Sequence, residues 1–149
     1  MSNSGIRPIA IGVFRQGDKI LVLEGHDTVK NEIFYRPLGG GIEFREFGID
    51  ALRREIREEI SAEICNVAYL ATFENIFIHQ GQPLHEIMLV YNADFIDRSI
   101  YQAKEIMGQE NDGSPLRVLW KPLSDFRNNG SILYPAGLLN LFAKNNPDK

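Results

Sequence analysis

The sequence predicts one mixed domain, α+β or α/β, with a mixed sheet covered by helices. Three observations carry this expectation. Runs of β-forming residues, separated by turn signals, lie on both sides of residues 39–62 of the 149-residue chain. Between those runs, Ile49, Leu52, Ile56 and Ile60 fall on one arc of a helical wheel, the stripe that seats a helix on a core. Near the end, Pro135 precedes Leu138, Leu139, Leu141 and Phe142, the packing set of a closing helix that runs to about Lys144. The length suits a single domain over 1–149 with a proper core.

In chain order, Met1 to Gly5 reads as a flexible leader. Ile6 to Phe14 and Lys19 to Glu24 are rich in β-formers and flank the turn Gln16, Gly17, Asp18, a pattern that predicts a hairpin. Gly25 to Asn31 reads as a loop bordering a cleft. Ile33 to Leu38 is extended, because Pro37 keeps Arg36 out of the helical region. Glu63 to His79 and Leu84 to Ile96, joined at Gln80 to Pro83, predict a second antiparallel pair. Asp97 to Pro115 is polar and reads as a loop with at most one helical turn. Leu116 to Lys121 is a strand that Pro122 stops, with Ser124 as the N-cap of a short turn.

Composition removes several classes. Hydrophobic residues make up 44% and charged ones 24%, ordinary for a globular chain. A net charge of −4 argues against a long electrostatic footprint on DNA or RNA and leaves small nucleotides open. No apolar run approaches a membrane span, and no signal peptide opens the chain, so the cytoplasm is the default location. Cys65 is the single cysteine, read as a small buried residue, with no disulfide or zinc cluster to form. A homodimer is compatible with all of this.

The chemistry concentrates in residues 39–62. Glu55, Glu58 and Glu59 share an arc beside the apolar stripe. Like charges at this spacing repel by roughly 0.2–0.5 kcal/mol per pair, which a divalent cation would reverse. Carboxylate oxygens are the hard ligands that Mg²⁺, Mn²⁺ or Ca²⁺ accepts. Taken alone, the helix reads better as a solvated face neutralised by Arg53, Arg54 and Arg57. Gly39, Gly40 and Gly41 change the balance. They let the backbone approach a ligand closely and offer N–H groups to phosphate oxygens.

At Gly40, Glu46, Arg54, Glu55, Ile56, Glu58 and Glu59 the spacing resembles the signature of the Nudix hydrolases, matching seven of nine specified positions. Ser61 stands in place of the signature's glycine, and Ala62 in place of a larger aliphatic. A left-handed helix end at Ser61 is expected to cost about 1 kcal/mol; otherwise the helix ends differently. The resemblance sharpens the fold to an α/β/α sandwich, and Trp120 to Leu123 followed by a terminal helix is similar to that domain's usual ending.

The same resemblance implies metal-assisted attack of water on phosphorus in a nucleoside diphosphate linked to another moiety. It assigns Glu55 and Glu59 as Mg²⁺ or Mn²⁺ ligands, Glu58 as a further ligand or the base, and the carbonyl near Gly40 as an added ligand. Gly39, Gly40, Gly41 and Arg36 fall to the phosphates, and Glu46 with Arg54 to a structural ion pair. Glu43, Glu105 and Glu110, with Glu86 behind them, are weaker candidates that read first as solvated acids. Arg7, like Arg36, could meet phosphates or a base but reads equally as ordinary surface. Tyr35 and Phe77 could stack on a base, although core packing is the commoner use of such rings. His26, His79 and His85 are too dispersed for a metal or nucleophile role. The proline of ADP-ribose hydrolases is absent at Phe77 and Ile78, and the tyrosine of dinucleoside polyphosphate hydrolases is absent at Ile78 to Gln80. Rival readings are a nucleotide sensor without turnover, motivated by Ser61, and an isoprenoid isomerase, which Cys65 supports little.

Overall fold

The computed structural model describes residues 5–144; the expected leader, Gly5 apart, lies outside the described residues. Strands β1 (Ile6–Val13), β2 (Arg15–Gln16), β3 (Lys19–Asp27), β4 (Glu32–Arg36) and β5 (Leu38–Gly41) lead to helix α1 (Gly48–Ile60). Then follow β6 (Ile64–His79), β7 (Gln82–Phe95), a 3₁₀ turn (Arg98–Tyr101), β8 (Glu105–Gln109), β9 (Pro115–Pro122), α2 (Leu123–Arg127) and α3 (Leu138–Lys144).

The strands form two sheets, β5-β1-β7-β6 and β2-β3-β9-β8, with β4 on the free side of β3. The first is mixed, since β1 runs parallel to β7 and antiparallel to β5. Period-two alternation sends side chains of each central strand to two different cores. Ala10, Leu21 and Leu23 pack with Leu52 and Ile56 of α1, together with Phe95, Tyr101 and Trp120. Ile9, Ile11, Ile20 and Val22 pack on the other face with Phe126 of α2 and with Leu138 and Phe142 of α3. The result is the expected α/β/α sandwich. Leu52 and Ile56 are fully buried, and each contributes about 1.5–3 kcal/mol by leaving water.

Several local expectations are corrected. Ile6–Val13 and the strand from Lys19 are not hairpin partners along their length. The Gln16–Asp18 turn closes only the pairs Arg15↔Ile20 and Gln16↔Lys19, after which β1 and β3 enter different sheets. Strand β3 also continues through Asp27, into the segment read as loop. Within 97–115, the single helical turn is present, but Glu105–Gln109 is a strand paired with β9. Ile106 and Gly108 face inward there while Glu105, Met107 and Gln109 stay exposed, an alternation too short to stand out from a polar stretch.

Ser124 does not cap α2. Pro122 holds the N-cap position, and the Leu123 N–H donates to Asp18 O. Pro135 lies before α3, whose first residue Leu138 donates its N–H to Pro135 O. Cys65 is half-buried rather than buried.

Helix α1 ends where the signature glycine would stand. Ser61 adopts the left-handed conformation, φ 55° and ψ 37°, and its N–H donates to Arg57 O at 3.0 Å. Serine therefore preserves the helix end at a conformational cost. Ser61→Gly is expected to raise stability by about 1 kcal/mol, a gain of ~2–4 °C in Tm for a domain of this size. Calorimetric melting of both proteins checks this; an unchanged or lower Tm would contradict the strain.

Candidate functional site

The site forms where β5 delivers its glycines to the buried side of α1. Gly39 N–H donates to Glu59 Oε1 at 3.2 Å. A Cβ on Gly40 would enter the Glu55 carboxylate, so glycine there is what allows backbone and carboxylate to touch. Gly39 has φ 142°, and a Cβ there would collide with the carbonyl of Ala10 across the sheet. Two of the three glycines are thus required by packing against α1 and β1. Glu55 and Glu59 are only 7% and 8% exposed, unusual for ionisable groups.

Arg54 organises the loop between β5 and α1. Its Nε and Nη2 each donate to a Glu46 oxygen at 2.9 Å, and Nη2 also donates to Gly41 O at 2.9 Å. Nη1 reaches Glu55 Oε1 at 3.0 Å and Glu58 Oε2 at 3.4 Å. Glu46 reaches back to accept the Glu43 N–H at 3.0 Å. The bidentate pairing holds the Glu46 carboxyl down at about 2 and raises Arg54 above its ordinary value. Arg45 sits within this loop at φ 69°, left-handed for a non-glycine. Glu43 stays largely exposed, 3.8 Å from Arg54.

Charge is poorly compensated deeper in the site. Burial pushes Glu59 up to about 8, offset partly by Arg36 and reinforced by Glu55 and Glu110. Glu58 is 44% exposed and faces solvent. Among the described residues no three acids or histidines stand grouped as a metal cage. The donor set nonetheless fits a divalent cation: two buried carboxylates oppose each other's charge beside a permissive backbone, with a third within one helical turn. Hard oxygen donors of this kind suit Mg²⁺ or Mn²⁺.

Beside these carboxylates a cleft of about 320 Å³ opens between the two sheets, reached through Gly40, the glycine that abuts Glu55. Gly40, Arg36 and Glu110 line it at this end. From β1 and β7 come Arg7 and Glu86, 3.6 Å apart, with burial raising the Glu86 carboxyl against the pull of Arg36 and Arg7. Farther along stand Phe34 of β4, Asn75, Phe77 and His79 of β6, and Tyr134.

The sequence-nominated residues divide clearly. Gly40, Arg36 and Glu110 line the cleft, Glu55 and Glu59 lie against the Gly39–Gly40 backbone beside it, Gly41 accepts from Arg54, and Glu58 is on the outer side of α1. Glu105 is not brought there; Arg117 Nε holds it at 3.2 Å, while the same arginine binds Glu24. Tyr35 turns away to pack on Phe126, whereas Phe77 and His79 do face the cleft. Sequence reasoning missed Asp27, Asn75 and Tyr134. For Asp27 a signal existed: an aspartate opening a Thr28 to Asn31 turn accepts backbone N–H groups two and three residues on.

The chain matches the family model described as NUDIX domain over residues 6–132. It is 32% identical over 108 residues to the NAD-capped RNA hydrolase NudC of Pseudomonas fluorescens, covering 72% of this chain but 34% of that protein, so it spans about a third of that relative. Among solved structures, a NUDIX hydrolase from Nitrosomonas europaea superposes with TM-score 0.68 at 15% identity, covering 97% of this chain and 91% of the other. A MutT NUDIX hydrolase from Burkholderia pseudomallei gives 0.60 at 18% identity, covering 81% and 86%. With fold, loop and acidic helix in agreement with the family model, the chain belongs to the Nudix hydrolase family.

Proposed function

We propose that the protein is a divalent-metal-dependent pyrophosphohydrolase, cleaving the phosphoanhydride of a nucleoside diphosphate linked to another moiety by water attack on phosphorus. One observation carries this reading: Glu55 and Glu59 are buried against the Gly39–Gly40 backbone, whose Gly40 lines a cleft together with Arg36. Arg54 pairs with Glu55, whereas Glu59 is held by the Gly39 N–H, and keeping that acid buried costs stability that an apolar residue would not. Mg²⁺ or Mn²⁺ held by Glu55 and Glu59 would neutralise phosphate charge and acidify water.

The chain's own groups supply the rest. Arg36 and the Gly39–Gly41 backbone bind and orient the phosphates. Glu58, exposed and only loosely held by Arg54, takes the proton of the attacking water. Arg54 and Glu46 keep the loop and helix in fixed register and take no part in proton transfer. Ser61 retains the helix end of the signature, which removes the motive for a sensor without turnover.

The substrate class stays at the level of nucleotides and their derivatives. The NudC relative is named for NAD-capped RNA, so NAD and an NAD-capped oligoribonucleotide belong in the panel beside nucleoside triphosphates and ADP-ribose. Release of phosphate or mononucleotide from at least one member in Mg²⁺ or Mn²⁺, abolished by chelator, is the expected outcome. Tight binding with no turnover of any member would sink the reading.

Glu59→Gln is expected to lower metal-dependent turnover by at least ~100-fold, above the ~10–100-fold typical of outer-shell changes. Near-normal activity would refute the ligand assignment. In metal-free protein the same variant has a second signature. The folded Glu59 carboxyl titrates at about 8, above its ordinary 4.5, so its stability contribution is complete below 4.5 and lost as pH rises through 8. Thermal melts of the wild type with chelator therefore fall between pH 5 and pH 8.5, whereas Glu59→Gln lacks that component.

A further inference from the structure

Helix α1 covers only part of the sheet β5-β1-β7-β6. Gly48, in its first turn, lies so close to Leu89 and Tyr91 of β7 that a Cβ there would collide with both. Beyond Leu89 the strands continue past the helix. Their registers set Pro8, Ile87 and Glu74 side by side in one row, Ile6, His85 and Ile76 in the next, and Pro83 with Ile78 in a third. Neither pairing is bulged over these rows. Period-two alternation therefore keeps these side chains on the face that α1 occupies farther along.

This face is apolar and open. Ile6, Ile76 and Ile78 are 59%, 71% and 55% exposed, and Pro8 and Pro83 are exposed beside them. Together they leave on the order of 400 Å² of apolar surface in one patch, a size that marks interaction sites. Phe47, which precedes Gly48 at the boundary with α1, is 78% exposed. With Phe47 and the polar members of the rows, the face approaches the roughly 800 Å² per partner of a specific interface.

Charge selects the occupant. Glu74 and His85 are the only ionisable groups in the rows, and they bond to each other at 3.0 Å. A chain of net charge −4 repels its own copy over most approaches, but not over a face without net charge. Lacking lysine and arginine, the rows also lack the cationic anchors of a surface that lies on anionic lipid. The sheet edge is blunted by a different device. Strand β6 is outermost, and its register shifts between Cys65 and Ala68 and between Tyr69 and Ala71 bend the first half of its free edge. That leaves the face for association, where a two-fold arrangement closes on itself.

We propose that this face is the interface of a two-fold homodimer, with a second copy of the chain seated on the row of Ile6, His85 and Ile76. The alternate side chains of the same strands, among them Arg7, Glu86, Asn75 and Phe77, line the cleft on the other side of the sheet. Ile78, next to the hairpin turn, borders both. The dimer thus braces the back of the cleft wall and leaves its front free. It does not rest on the hydrolase reading.

Sedimentation velocity from about 1 to 100 μM tests this, with the wild type, Ile76→Lys, Ile6→Lys and Met107→Lys compared. Met107 is as exposed as these isoleucines, at 64%, but stands on β8 of the other sheet. The wild type is expected to dimerise within this range. Ile76→Lys and Ile6→Lys are each expected to raise the dimer Kd about 100-fold or more, because a two-fold interface carries every substitution twice. Met107→Lys is expected to leave the Kd unchanged. Circular dichroism checks that each variant is folded, and Ile6→Lys decides the matter if Ile76→Lys is not. A wild type that stays monomeric overturns the second copy as the occupant. A dimer that survives both isoleucine substitutions, or that Met107→Lys weakens equally, overturns the face. Assemblies larger than the dimer overturn the two-fold closure.

Discussion

The guanidinium of Arg54 is the contact on which the candidate site depends. It joins a carboxylate of the loop, a carbonyl of β5 and the acids of its own helix within one set of donors. Its planar fork suits this task, since two parallel bonds to Glu46 leave further N–H groups for Gly41 and for Glu55 and Glu58. Lysine at this position would keep the charge and lose the geometry. Because Arg54 is itself on α1, the loop and the helix cannot shift independently, and the glycines stay pressed against Glu55 and Glu59.

Much of the fold was legible because it rests on short-range patterns. The apolar arc of Ile49, Leu52, Ile56 and Ile60 is a property of one helix, and so it survived into the structure. The long β6–β7 pair also survived, since a glycine turn and two strands of matching length specify each other. The assumption that failed was that neighbouring strands pair. Ile6–Val13 and Lys19–Asp27 follow one another in sequence yet part into different sheets, because each has a better partner farther away: β7 and β5 for one, β9 and β4 for the other. Strand β8 was hidden for a related reason. Its five residues acquire their inward side only from β9 and α1, where Gly108 lies against the carbonyl of Glu59.

The site divides along the same line. Its acidic helix and glycine turn are contiguous in sequence, and spacing alone marks them out. The cleft is assembled from β1, β3, β4, β5, β6, β7 and the segment before α3, so Glu86, Asn75 and Tyr134 carry no local sign of belonging together. Glu105 and Glu110 show the limit well. They lie five residues apart and looked equivalent, but one faces Arg117 across the strand pair while the other lines the cleft.

The parallel pairing of β1 with β7 also has a temporal consequence. Ile6 finds its partner at His85, more than half the chain length away, and the Arg7–Glu86 pair spans the same gap. During synthesis the glycine turn and acidic helix emerge long before the sheet that will support them is complete. Loop closure over that distance must precede the contacts that reward it. The nascent chain therefore holds β1 with one open edge, paired at most with the short β5, until β7 leaves the ribosome, and this interval is when the protein is most exposed to aggregation.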